Sequence, residues 1–215
     1  MLRLYNRIVT MANHRLPKII LNWDMKSNTP GWARDVKNIM IDIEMYKQYT
    51  HQEPICLRKA KEILLTKEIV KWNESVINMD KLRTYQMFKW DFGVENYVST
   101  LLSKRHRSFL AQFRSGILPL KIETGRFQNI PIDKRICTLC NQDSIEDEIH
   151  FLLECDFYSS ERQNLFRSAE ANHENFSEIE NDVKLTILMN DEDLFGEVAN
   201  FIANAYEKRS MALAK

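Results

Sequence analysis

Residues 137–155 read Cys137-Thr-Leu-Cys140-Asn-Gln-Asp-Ser-Ile-Glu-Asp-Glu-Ile-His150-Phe-Leu-Leu-Glu-Cys155, a C-x2-C-x9-H-x4-C array. Three thiols and an imidazole in two close pairs suit tetrahedral Zn²⁺, with Zn–S near 2.3 Å and Zn–N roughly 2.0–2.1 Å. With Cys137, Cys140, His150 and Cys155 all bound, no coordination position stays open to water or substrate, which is the pattern of a structural site and not of a catalytic one. The five-residue step from His150 to Cys155 carries its own prediction. On an unbroken α-helix those two side chains would lie about 140° apart around the axis. The helix must therefore end or loosen near Cys155.

Other readings of the same residues fare less well. A thioredoxin-like redox pair at Cys137 and Cys140 has no βαβ pattern around it and leaves His150 and Cys155 unexplained. Disulfides belong to secreted chains, and no secretory signal is present, so an intracellular setting, nucleus or cytoplasm, is expected. A Cys–His nucleophile is not excluded by spacing. The fourth cysteine, Cys56, reads as a small buried hydrophobe.

The chain has 215 residues, 44% of them apolar, enough for a substantial core. No stretch of about 18 apolar residues occurs, so no membrane partner is expected. Only five glycines and five prolines are present, which favours helices over hairpins. There is also no glycine-rich phosphate loop, which argues against a nucleotide-binding enzyme. Helical spacing appears at Leu4, Tyr5, Ile8 and Met11; at Trp32, Val36, Ile39, Met40 and Ile43; through residues 55–78; and at about 159–171 and 192–208. Ser27-Asn28-Thr29-Pro30-Gly31 reads as a break. Residues 172–182 read as an acidic loop. The expected fold is mostly α, a helical bundle with a small zinc-stapled CCHC knuckle inserted between helices. Three regions are expected: a helical region 1–80, a basic helical segment with the knuckle at 81–160, and an acidic C-terminal helical region 161–215.

Zero net charge conceals a division of sign. Residues 1–136 hold 24 Lys and Arg against 13 Asp and Glu, whereas residues 137–200 hold 3 against 16. Such asymmetry points the first part toward a polyanion. The cations Lys104, Arg105, Arg107, Arg114, Lys121 and Arg126 are the candidate nucleic-acid contacts, with Lys134 and Arg135 as additions at the edge of the array. Tyr97, Leu101, Leu102, Phe109, Leu110 and Phe113 fall on one helical face; aromatics among them either stack unpaired bases or fill the core. The arginines correspondingly contact phosphate or form ion pairs along helix faces. Phosphate is expected to avoid the metal itself, because Zn²⁺ with three thiolates is formally anionic and Asp143, Glu146, Asp147 and Glu148 lie beside it in sequence.

The strings Lys81-Leu-Arg-Thr-Tyr85, Phe113-Arg-Ser-Gly-Ile-Leu-Pro-Leu-Lys-Ile-Glu-Thr-Gly-Arg126, Cys137-x2-Cys140 and Glu146-Asp-Glu-Ile-His-Phe-Leu-Leu-Glu-Cys155 together resemble the region downstream of the reverse transcriptase domain in LINE-type (non-long-terminal-repeat) retrotransposons. Met1–Asp24 is similar to the stretch that follows the polymerase thumb in those proteins. The resemblance implies a zinc-knuckle module, with Cys137, Cys140, His150 and Cys155 as ligands, that helps the polymerase hold template RNA or target DNA during target-primed reverse transcription. The chain departs from the family in lacking a Tyr-x-Asp-Asp motif, endonuclease acids and a carboxylate cluster for two Mg²⁺ ions. It therefore reads as a non-enzymatic fragment or co-opted copy, with nucleic acid as its partner and a reverse transcriptase domain or other protein as a further one. Several Trp and Met side chains in the first 80 residues are candidates to face that missing domain. The rival reading is a zinc-stabilised protein-interaction module whose acidic tail docks a basic partner or folds back over residues 104–126.

Overall fold

The computed structural model describes residues 1–26, 30–100 and 102–214. It is mostly helical, and among the described residues the only β pairing is one isolated antiparallel bridge, Ile136 to Ile145. The break expected at Ser27-Asn28-Thr29, and Leu101, lie outside the described residues. No described helix is long and apolar enough to cross a membrane. The chain divides into two compact units, Met1–Asn73 and Glu74–Lys215.

The first unit holds α1 (Leu2–Val9), α2 (Leu16–Lys26), α3 (Trp32–Asp42), α4 (Tyr46–Thr50) and most of α5 (Leu57–Ile77). Its core is Tyr5, Ile8, Leu21, Val36, Met40, Ile43 and Tyr49, close to the helical stripes read from sequence. Several buried polar groups find partners here. Tyr5 donates to the Gln48 carbonyl at 3.0 Å, and Asn6 both donates to the Ile55 carbonyl and accepts from its amide. The Lys18 ammonium is buried because it donates to Val9 O at the end of α1, where exposed carbonyls favour a cation. Cys56 is exposed, which corrects the expectation of a buried thiol: it sits just ahead of α5, outside the apolar stripe. Met40 and Met45 are core residues, whereas Trp23 on α2 is exposed.

The second unit contains α6 (Asn96–Ser99), α7 (Lys104–Arg114), α8 (Lys121–Phe127), a π turn (His150–Glu154), α9 (Ser159–Asn172), α10 (Asn181–Asn190) and α11 (Phe195–Leu213). One core runs through it. Leu110 and Phe113 of α7, Phe151 and Leu152 of the π turn, Leu165 of α9, Leu185 and Leu188 of α10, and Val198, Phe201 and Ile202 of α11 are all in a single buried cluster. The basic segment and the acidic tail thus share an interior, and α11 packs against both α7 and α9. At the end of α7, Gly116 takes φ 64° while its amide donates to Phe113 O and the Ile117 amide donates to Gln112 O, a Schellman close. A Cβ on Gly116 would lie 1.9 Å from the Lys81 carbonyl oxygen, so both conformation and space demand glycine.

Candidate metal centre

Two short pieces of chain build the centre. In the first, the Cys137 amide donates to Ser144 O at 2.8 Å and the Glu146 amide to Arg135 O at 2.9 Å, so residues 136–145 fold back on themselves. Asp143 adopts a left-handed φ of 51° in that loop, a conformation Asp tolerates better than most residues. The loop presents both Cys137 and Cys140. In the second piece, Asp147 Oδ1 accepts from the His150 amide at 2.8 Å and caps the turn that follows. Residues 150–154 then form a π turn, closed by the Cys155 amide on His150 O at 2.8 Å. Closing i to i+5 widens the turn by one residue relative to an α-helix. Residues five apart thereby come together, which is the loosening that the His150–Cys155 spacing demanded.

The donor atoms of Cys137, Cys140, His150 and Cys155 all lie within 4.8 Å of one another. Cys137 Sγ is 4.0 Å from Cys155 Sγ, and Cys140 Sγ is 3.4 Å from His150 Nε2. Ligand atoms on a tetrahedral Zn²⁺ with the bond lengths above are about 3.5–3.8 Å apart, so the cluster fits such an ion with small adjustments. His150 is 2% exposed and turns Nε2 inward. Its buried Nδ1 has no hydrogen-bond partner among the described residues, and Glu154 Oε2 stands 3.5 Å away. That carboxylate also accepts from Asn181 Nδ2 at 2.8 Å, which orients it. A carboxylate placed behind a histidine's distal nitrogen is the usual support for a metal-binding imidazole. Burial pushes the Cys155 thiol well above the ordinary thiol range, and a cation beside its sulfur would favour the thiolate.

Around the donors lies a shell of buried ion pairs invisible to spacing rules. Arg162, itself buried, donates to the carbonyls of Leu152, Phe151 and Cys155, three acceptors at or just beyond the π turn. Glu148 is fully buried; Arg83 donates to both its oxygens at 2.6 and 2.9 Å and Thr84 adds a hydroxyl at 2.8 Å. Burial raises the Glu148 pKa despite the guanidinium beside it. Glu146 receives a bidentate pair of 2.8 Å bonds from Arg209 of α11 and the Lys121 amide of α8. These facts correct the charge picture drawn from sequence. Glu146 and Glu148 are neutralised inside the protein and do not form an acidic surface beside the donors.

The candidate nucleic-acid residues separate into classes. Arg114 is 3% exposed, bonded to Glu95 and to Met189 O, and stacked over the rings of Phe88 and Tyr97 at 4.5 and 5.2 Å. It is a core residue, which corrects its assignment to phosphate. Arg105 pairs with Glu207 of α11 and Arg126 pairs with Glu123. Arg107 is exposed and, among the described residues, its one hydrogen bond is to the Val98 carbonyl, at 3.5 Å. Lys104 is exposed and Lys121 half-buried, neither with an ion pair among the described residues. Tyr97, Leu102 and Phe109 pack against the core, and Leu110 and Phe113 lie within it. Arg83, Glu95, Arg162 and Arg209 were missed as contributors; long-range pairing of buried charges leaves no local pattern to read.

Comparisons with protein-family models, with curated proteins and with solved structures return no match for this chain.

Proposed function

We propose that the second unit is a zinc-stapled, non-enzymatic nucleic-acid-binding module, related to the CCHC region downstream of the polymerase in LINE-type retrotransposons. The observation that carries this reading is the convergence of Cys137, Cys140, His150 and Cys155 within 4.8 Å, from a loop and a π turn that are each held by their own hydrogen bonds. Zinc supplies cross-linking here. The chain's residues do the rest: Cys137 and Cys140 fix the loop, His150 and Cys155 fix the turn, Glu154 faces the imidazole, and Arg162 ties the turn to α9. The unpaired cations of the second unit then supply the electrostatic attraction to phosphate, the sequence-independent part of nucleic-acid affinity.

The tail behaves differently from a free docking arm. Its helices complete the core, and Glu207 and Arg209 pair with Arg105 and Glu146. This supports the folding-back form of the rival reading for α11, whereas Glu174, Glu178, Glu180 and Asp182 stay exposed with no ion pair among the described residues. The test is metal analysis of the purified chain together with salt-titrated binding to RNA, single-stranded DNA and duplex. The expected result is one zinc per chain and an affinity whose logarithm falls linearly with log salt. Stoichiometric zinc with no salt-dependent nucleic-acid binding would refute the function while leaving the metal site standing.

A further inference from the structure

α8, the turn after it and the end of α11 enclose an open cavity of about 480 Å³. Lys121, Thr124, Gln128, Lys134, Arg135 and Arg209 contribute its polar side, and no Asp or Glu lines it. The contrast with the cavity near α6 is direct: there Lys89 and Arg114 are matched by Asp91 and Glu95. In the α8–α11 groove Arg209 alone has an acidic partner among the described residues, Glu146. Arg135 spends its hydrogen bonds on two carbonyls, Ile130 O at 2.9 Å and Ile122 O at 2.7 Å, which position the guanidinium without cancelling its charge. Gly125 makes this possible, since a Cβ there would lie 2.8 Å from Arg135 Cγ. Lys121 and Lys134 have no ion pair among the described residues. Three cations with no acidic partner among the described residues thus line a concave surface, where low-dielectric walls focus their field. Tyr206, Ile130 and Leu213 add an apolar side suited to a sugar or base.

We propose that this groove, and not the arginine-bearing face of α7, is where the unit grips the phosphodiester backbone of an unpaired nucleic-acid strand. The inference rests on the nucleic-acid reading above and adds the place and the strand form. The volume lies in the roughly 300–1,000 Å³ range of small-ligand clefts, which admits a nucleotide or two of single strand and is too small to enclose a duplex. On α7, by comparison, Arg105 is held by Glu207, Arg114 is buried, and the exposed Lys104 and Arg107 line neither of the two cavities above.

The test uses the zinc-loaded full chain and a double charge reversal, Lys121→Glu with Lys134→Glu, against a control at the ion-paired arginine of α7, Arg105→Gln. Probes are a 12-nucleotide oligo-uridine RNA, the matching oligo-thymidine, a duplex of the same length, and inorganic phosphate and uridine monophosphate as competitors. The groove variant is expected to lose tenfold or more in single-strand affinity, and its salt slope to fall by about 1.4, two contacts at roughly 0.7 each. The control should stay within twofold and the duplex should bind more weakly. Zinc content and circular dichroism equal to wild type establish that the variants fold; should charge reversal disturb them, Lys121→Gln with Lys134→Gln replaces it. Wild-type binding that survives the groove substitutions overturns the groove and spares the nucleic-acid reading. No binding by wild type overturns both. Uridine monophosphate or phosphate competing as well as the oligonucleotide itself identifies a small-phosphate site and overturns the strand proposal.

Discussion

Cys155 shows what a single side chain must satisfy in this centre. Its amide closes the π turn, its carbonyl accepts from Arg162, and its thiol is 4.0 Å from that of Cys137. Replacing it as Cys155→Ser should abolish stoichiometric zinc and lower the melting temperature by roughly 10–20 °C, the equivalent of about 4 kcal/mol in a unit of this size; calorimetry with metal analysis checks both. Proton linkage gives a second prediction. Metal binding displaces the proton that burial holds on the Cys155 thiol, so zinc affinity should fall on acidification, and calorimetric titration in two buffers of different ionisation enthalpy should report proton release. In the metal-free chain the sign is opposite. A thiol whose folded pKa is raised favours the neutral form, so its stabilising contribution is complete below the ordinary thiol value of about 8.5 and is lost as pH rises beyond it. The Glu146–Arg209 pair is buried on both sides. Glu146→Ala strands the guanidinium and should cost about 3–5 kcal/mol, whereas Glu146→Leu with Arg209→Met should recover most of it; urea denaturation distinguishes the two.

Elements, more than residues, reveal what spacing encodes. The His150–Cys155 interval contradicts a regular α-helix, and the chain answers with a π turn. The close of α7 depends similarly on Gly116, and Gly116→Ala should destabilise the second unit by more than the roughly 1–3 kcal/mol of a left-handed non-glycine residue, because Lys81 O blocks the added carbon; the same denaturation assay measures it. Helical periodicity located α1, α3, α5, α9 and α11 within a few residues of their observed ends. It missed α10, where Val183, Leu185, Ile187, Leu188 and Met189 form too short and too evenly apolar a run to show a face. The metal donors were legible because their spacing is local. Arg114 was not, since nothing nearby in the chain announces Glu95, Met189 O and two aromatic rings as its surroundings. The charge asymmetry between residues 1–136 and 137–200 was real in composition, yet spacing did not reveal that Arg83–Glu148 joins the two segments or that Arg105 and Glu146 are paired with Glu207 and Arg209 of α11.

At the scale of the whole molecule, two separate cores imply two separable responses. The first unit, with its Tyr5–Tyr49 stack and Met40–Ile43 interior, holds no metal donors among those brought together. Chelation should therefore speed amide exchange in the π turn, α9 and α11 and leave α1–α4 protected, as hydrogen-exchange mass spectrometry would show. The most direct test of the central claim is X-ray absorption at the zinc edge on the protein as purified. One zinc per chain with three sulfurs near 2.3 Å and one nitrogen at roughly 2.0–2.1 Å is the expected result. A cooperatively folded chain free of metal, or zinc held by oxygen ligands alone, would contradict it.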